Sequence, residues 1–108
     1  MFSLLDTFRA LGDSTRLRIF HLLHAMELAV GEIAQVMGQS QPRVSRHIRI
    51  LVEAGLVERR KAGRQQLCRL KAERLREADQ WLRQWERFWM STLDRLEAII
   101  VEDQEKRT

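Results

Sequence analysis

Two short apolar stripes at helical spacing, separated by a glycine and a proline-bearing turn, constrain this chain more than any other feature. Val30, Ile33, Ala34 and Met37 recur at i, i+3, i+4 and i+7 and stop at Gly38. Ser40 then supplies an N-cap hydroxyl. Pro42 suits a first helical turn, where its missing N–H has no helical partner, and Val44, Ile48, Leu51 and Val52 form the next stripe. The spacing predicts helices over 30–37 and 41–54, the second closed by Gly55. Ala34, four residues before the turn glycine, is small enough for the two helices to cross closely.

The flanking segments complete the order. Leu4, Leu5, Phe8 and Leu11 predict a helix over 4–11 ended by Gly12, and Asp13 is placed to cap a second helix over 14–25 carrying Ile19, Leu22, Leu23 and Met26. Between Leu56 and Leu70 the helical period is lost around Lys61-Ala62-Gly63-Arg64, which predicts a β-hairpin. A long helical pattern with Leu82, Trp85, Trp89, Leu93, Leu96 and Ile100 then runs from 72 to about 102, before a polar end, 103–108, expected to fray. The expected fold class is α+β, mainly α: a single domain over 1–108 in which 30–54 is a helix-turn-helix and 56–70 a wing.

Charge along the chain points to a partner. Residues 43–76 hold eleven Lys/Arg against three acids, a local +8, whereas 1–42 come to −1 and 77–108 to −3. Such a block is the electrostatic footprint of a polyanion-binding face, with a merely solvated basic surface as the alternative. With Val44, Ile48 and Leu51 facing the core, the helical repeat leaves Arg43, Arg46 and Arg49 outward. Together with Gln39, Ser40, Gln41, Ser45 and His47 they form a set able to meet base edges and phosphate, and Lys61 and Arg64 extend it onto the hairpin tip. An apolar fraction of 44% with 31% charged residues describes a soluble globular chain, without an apolar run able to span a bilayer. No secretory signal is visible, and the single cysteine, Cys68, cannot form an intramolecular disulfide, so the expected location is the cytoplasm.

The stretches AlaLeuGlyAspSerThrArgLeuArgIlePhe from Ala10, ValGlyGluIleAlaGlnValMetGlyGlnSerGlnProArgValSerArgHisIleArgIleLeu from Val30, and AlaGlyLeuValGluArgArg from Ala54 resemble the ArsR/SmtB family of winged-helix repressors over about residues 4–70. The resemblance implies a homodimer built from the first and last helices, 1–12 and 72–102, that binds an inverted repeat in double-stranded DNA and is released by a signal. Leu4 and Phe8, with Trp85, Trp89, Leu93, Leu96 and Ile100, are then the expected interface. The last helix supports this independently, because Trp81, Trp85, Phe88 and Trp89 carry more apolar area than one small domain covers.

The usual inducer of that family is a metal, and here the sequence departs from its pattern. Where metalloid sensors carry paired cysteines, this chain has Ala29 and Gly31, and no histidine follows His47 in the last helix, where zinc sensors place ligands. No metal site, cofactor or catalytic residue is expected, and a small-molecule inducer would be of unknown kind. His21 and His24 lie three apart on a helix without a third soft ligand nearby. His47 either contacts phosphate or packs at the core margin. Cys68 is either a small strand residue or a redox switch between subunits. Ser45 and His47, at i and i+2, point apart and make no catalytic pair, and there is no Gly-rich phosphate loop. The turn from Gly38 to His47 also resembles the DNA-binding part of S-adenosylmethionine-dependent methyltransferase fusions. A fragment or stand-alone relative of such a protein, and a module that binds protein rather than DNA, are the alternatives.

Overall fold

The computed structural model describes residues 4–107. Residues 1–3 of the expected amino-terminal dimerisation segment, and Thr108 of the expected frayed end, lie outside them. The order is α1 (Leu4–Leu11), α2 (Ser14–Ala25), β1 (Leu28–Ala29), α3 (Val30–Met37), α4 (Gln41–Glu53), β2 (Val57–Ala62), β3 (Gln65–Leu70) and α5 (Glu73–Arg107). The chain forms two compact units, 4–78 and 79–107.

In the first unit the expected caps are made. The Asp13 carboxylate accepts from the Thr15 amide at 3.0 Å, and the Ser40 hydroxyl from the Arg43 amide at 3.4 Å. Gly38 ends α3 at φ +65, a left-handed conformation that costs glycine little, and the Gln39 amide reaches back to the Ala34 carbonyl at 3.1 Å. The apolar stripes meet in one core: Ile19, Ile33, Val44, Ile48, Leu51 and Leu56 are fully buried. Each such side chain contributes on the order of 1.5–3 kcal/mol relative to exposure.

Leu28–Ala29 was not expected as a strand. It pairs antiparallel with β3 through Leu28↔Cys68 and Ala29↔Leu67, so the sheet has three strands in the order β1-β3-β2. Two residues are too few for an alternating pattern to register in the sequence. The hairpin is otherwise as expected: Ala62 pairs with Gln65 across a loop of Gly63 and Arg64, with φ +63 at Gly63. In α1 the buried residues are Thr7 and Ala10, while Leu5 and Phe8 are exposed.

Leu75 packs against the core and Ala78 is buried, so the first turns of α5 belong to the first unit. The second unit is the rest of that helix. It continues past the expected end at 102, as far as Arg107. Glu102–Lys106 at 3.5 Å and Asp103–Arg107 at 3.2 Å are acid-before-base pairs at i, i+4, and the bases sit at the helix's negative end, an arrangement that supports a polar last turn. Trp81, Trp85, Phe88, Trp89, Leu93, Leu96 and Ile100 are all exposed in the single chain. Among the described residues, no helix is long and apolar enough to cross a membrane.

Candidate nucleic-acid interface

The core stripe of α4 fixes what its other side presents. Val44, Ile48 and Leu51 are fully buried, and Arg43, Arg46 and Arg49 are exposed, as the helical repeat requires. Pro42 occupies the first turn with its ring where no amide is needed, and the Arg46 Nε lies 3.4 Å from the Pro42 carbonyl, to which it donates. Arg43, Arg46, His47 and Ile50 line one depression of about 390 Å3. A second, of about 620 Å3, opens between the starts of α3 and α4 and the wing, lined among others by Gly31, Gln35, Gln41, Ser45 and Arg64. The expected contact set thus divides between two hollows. Ser40, Arg49 and Lys61 are exposed outside both, and half-buried Gln39 turns its carbonyl oxygen inward without a hydrogen-bond partner among the described residues.

Electrostatically, the basic block is not uniform. Arg60 forms a two-armed pair with Glu27, at 2.6 and 3.2 Å, which holds the Glu27 carboxyl below the usual carboxylate range. Arg69 is paired with Glu58 and Arg74 with Glu77. Arg59 turns inward, its Nη2 donating to the Ser45 carbonyl at 3.1 Å and fastening the base of the wing to α4. Among the described residues, no acid forms an ion pair with Arg43, Arg46, Arg49, Lys61 or Arg64. The outward cations of α4 and the wing tip are thus open to a polyanion, as are the exposed Lys71 and Arg76 that follow the hairpin.

Two residues at this face were not singled out from the sequence. Ile50 is 41% exposed beside Arg43, Arg46 and His47, an apolar side chain among polar ones; an isoleucine outside the core stripe was the available signal. Arg16 lies within the stretch that carries the family resemblance, but its task is invisible to periodicity. It donates from Nε to the Ala10 carbonyl at 2.5 Å and from Nη2 to the Arg9 carbonyl at 3.2 Å, capping α1, and its Nη1 lies 3.4 Å from His47 Nδ1. His47 is half-buried, against Arg16.

The metal position implied by the resemblance does not fit. Ala29 is strand backbone, Gly31 has no side chain, and the Glu32 carboxylate is occupied in accepting the Ala29 amide at 3.0 Å. Among the described residues, no three His, Cys, Asp or Glu side chains of the chain come together as a metal site. Cys68 is fully buried on β3, and burial pushes its thiol pKa up.

Helices α3 and α4 about the Gly38 turn, followed by the hairpin, define a winged helix-turn-helix protein. A family model described as a helix-turn-helix domain matches residues 11–60. The arsenical resistance operon repressor of Escherichia coli (strain K12) is 43% identical over 61 residues, 56% of this chain and 52% of that protein. A crystal structure described as a possible transcriptional regulator for arsenical resistance superposes with a TM-score of 0.71 at 35% identity, covering 86% of this chain and 94% of that one. The solution structure of a homodimeric winged helix-turn-helix DNA-binding domain from Mycobacterium bovis, described as a possible ArsR-family transcriptional regulator, gives a TM-score of 0.63 at 32% identity over 76% of this chain and 79% of that fragment. The chain belongs to the ArsR family of transcriptional regulators. It spans about half the length of the curated relatives it matches.

Proposed function

We propose that this chain is a homodimeric, sequence-specific repressor acting in the cytoplasm, which binds an inverted-repeat operator with α4 and the wing and has no catalytic activity. The observation that carries the reading is the outward row Arg43, Arg46 and Arg49 on α4, free of ion pairs while other arginines of the basic block are paired. Arginine at the amino end of a recognition helix can pair with guanine O6 and N7, and outward cations release counterions from phosphate. Residues 1–108 act as one functional domain in this reading, with 30–54 as the helix-turn-helix, 56–70 as the wing, and 1–12 with 72–102 supplying the dimer contacts. Leu4, Phe8, Trp85, Trp89, Leu93, Leu96 and Ile100 are the contact residues proposed. Release comes from a signal other than a metal at the family's usual positions, since those positions hold Ala29 and Gly31.

The test is selection by the purified protein from duplexes carrying a randomised segment. Enrichment of a two-fold symmetric sequence is expected. Retention of DNA with no enrichment would reduce the function to non-specific binding, and no retention at low salt would overturn it in favour of a protein-binding module.

A further inference from the structure

The start of α3 and the start of α4 touch through a residue that has no side chain. A Cβ at Gly31 would stand 2.6 Å from Gln41 Nε2 and 3.9 Å from Gln41 Cδ, closer to Nε2 than a Cβ carbon sits to an atom it is not bonded to. Gln41 is the first residue of α4, exposed, and lines the cleft between the helix starts and the wing that Ser45 and Arg64 also line. The space over Gly31 is therefore where the Gln41 carboxamide lies.

We propose that Gly31 is a positioning residue for DNA recognition: its bare Cα sets the orientation of the Gln41 carboxamide and so the base preference at one position of each half-site. The inference rests on the DNA-binding reading given above. A glutamine carboxamide discriminates adenine by pairing with N6 and N7 together, and that requires the amide plane to be presented at a fixed angle. A methyl group at position 31 displaces the amide without breaking anything else. The obstructed atom is the far end of a flexible side chain, Gly31 does not have a positive φ, and alanine is the better helix former. Gly31→Ala thus changes specificity and leaves the fold intact.

The experiment selects duplexes from a randomised pool with the wild type, Gly31→Ala, Gln41→Ala and the double variant, beside thermal unfolding of each. Gly31→Ala should unfold no earlier than the wild type. It should weaken the preference at the same base pair whose preference Gln41→Ala removes, by roughly five- to hundredfold in relative enrichment. In the Gln41→Ala background it should add nothing, a coupling that a merely structural effect does not produce. Wild-type enrichment with an unchanged pattern for Gly31→Ala or for Gln41→Ala overturns the inference alone, as does an equal shift in both backgrounds or early unfolding of Gly31→Ala. Absence of any wild-type enrichment overturns the DNA-binding reading, and this inference with it.

Discussion

Arg16 and Cys68 show how much depends on single side chains that have no bearing on periodicity. Arg16 closes the carboxyl end of α1 by donating to two of its carbonyls and rests against His47 of α4, so one half-buried cation joins the first helix to α4. Cys68 faces the core from the central strand β3, opposite Leu28 and Arg59. Its burial favours the neutral thiol, and only the thiolate attacks. Cys68 should resist an aromatic disulfide reagent in the native protein and react once denaturant opens the core; rapid native labelling would restore the redox-switch reading. The sign of the pH effect follows. With the folded pKa raised above the unfolded value of about 8.5, the thiol's contribution to stability is complete below that pH and is lost as pH rises toward the folded value. Cys68→Ala should flatten that alkaline decline, as measured by denaturant midpoints across pH. The sequence identified Cys68 as a strand residue from its place in the hairpin. Arg16 remained hidden because its partners are main-chain carbonyls across a turn.

At the scale of elements, α4 was legible because three independent signals coincide on it: the Ser40 cap, the Pro42 turn and the buried row Val44, Ile48, Leu51. The outward arginines follow from that row by geometry alone. The pair of Arg60 with Glu27 was not legible, because Glu27 comes from a segment 33 residues away, which only the pairing of β1 with β3 brings near. With the pairs Arg69–Glu58 and Arg74–Glu77, it is why the basic block overstates the cations available to a ligand. The basic side of α4 and the wing tip should act differently. Arg46 lies near the amino end of α4, the part of a recognition helix that reaches base edges, whereas Arg64 is in the two-residue loop at the hairpin tip, which in the proposed reading meets phosphate. Arg46→Ala should lower the ratio of operator to scrambled-duplex affinity by about 1–3 kcal/mol. Arg64→Ala should weaken both duplexes alike and reduce the salt dependence by about one counterion per subunit. Titrations of both variants across a salt series check this, and loss of discrimination from Arg64→Ala with none from Arg46→Ala would move base reading to the wing.

The whole molecule carries more apolar surface than either of its compact units covers. The first unit leaves Leu5 and Phe8 exposed on α1, and in the second Trp85, Trp89, Leu93, Leu96 and Ile100 recur at steps of three and four along one side of α5. Within that helix the rings are already ordered: Trp85 stands edge-on to Phe88 with centroids 6.2 Å apart, and Phe88 to Trp89 at 5.3 Å. The exposure is large, with Trp89 at 54% and Leu93 at 56%, so water is displaced from most of these side chains only when another surface arrives. Each large side chain so covered contributes roughly 1.5–3 kcal/mol before the cost of association is subtracted. In the proposed homodimer a second copy meets the need by two-fold symmetry, and it also presents two α4 helices to two half-sites of an inverted repeat. Trp89→Asp combined with Leu93→Asp places two carboxylates in the middle of that side. Both positions are solvated in the single chain, so the core around Ile19, Ile33 and Ile48 should keep its thermal transition apart from what dimerisation adds. Sedimentation should then give a 12.8 kDa species in place of a dimer. Operator affinity should fall steeply, because each half-site would have to be bound without the high effective concentration that linkage supplies. A dimer that survives the double substitution would place the interface on α1 or elsewhere, and a monomeric variant that held the operator as tightly as the wild type would separate dimerisation from DNA recognition.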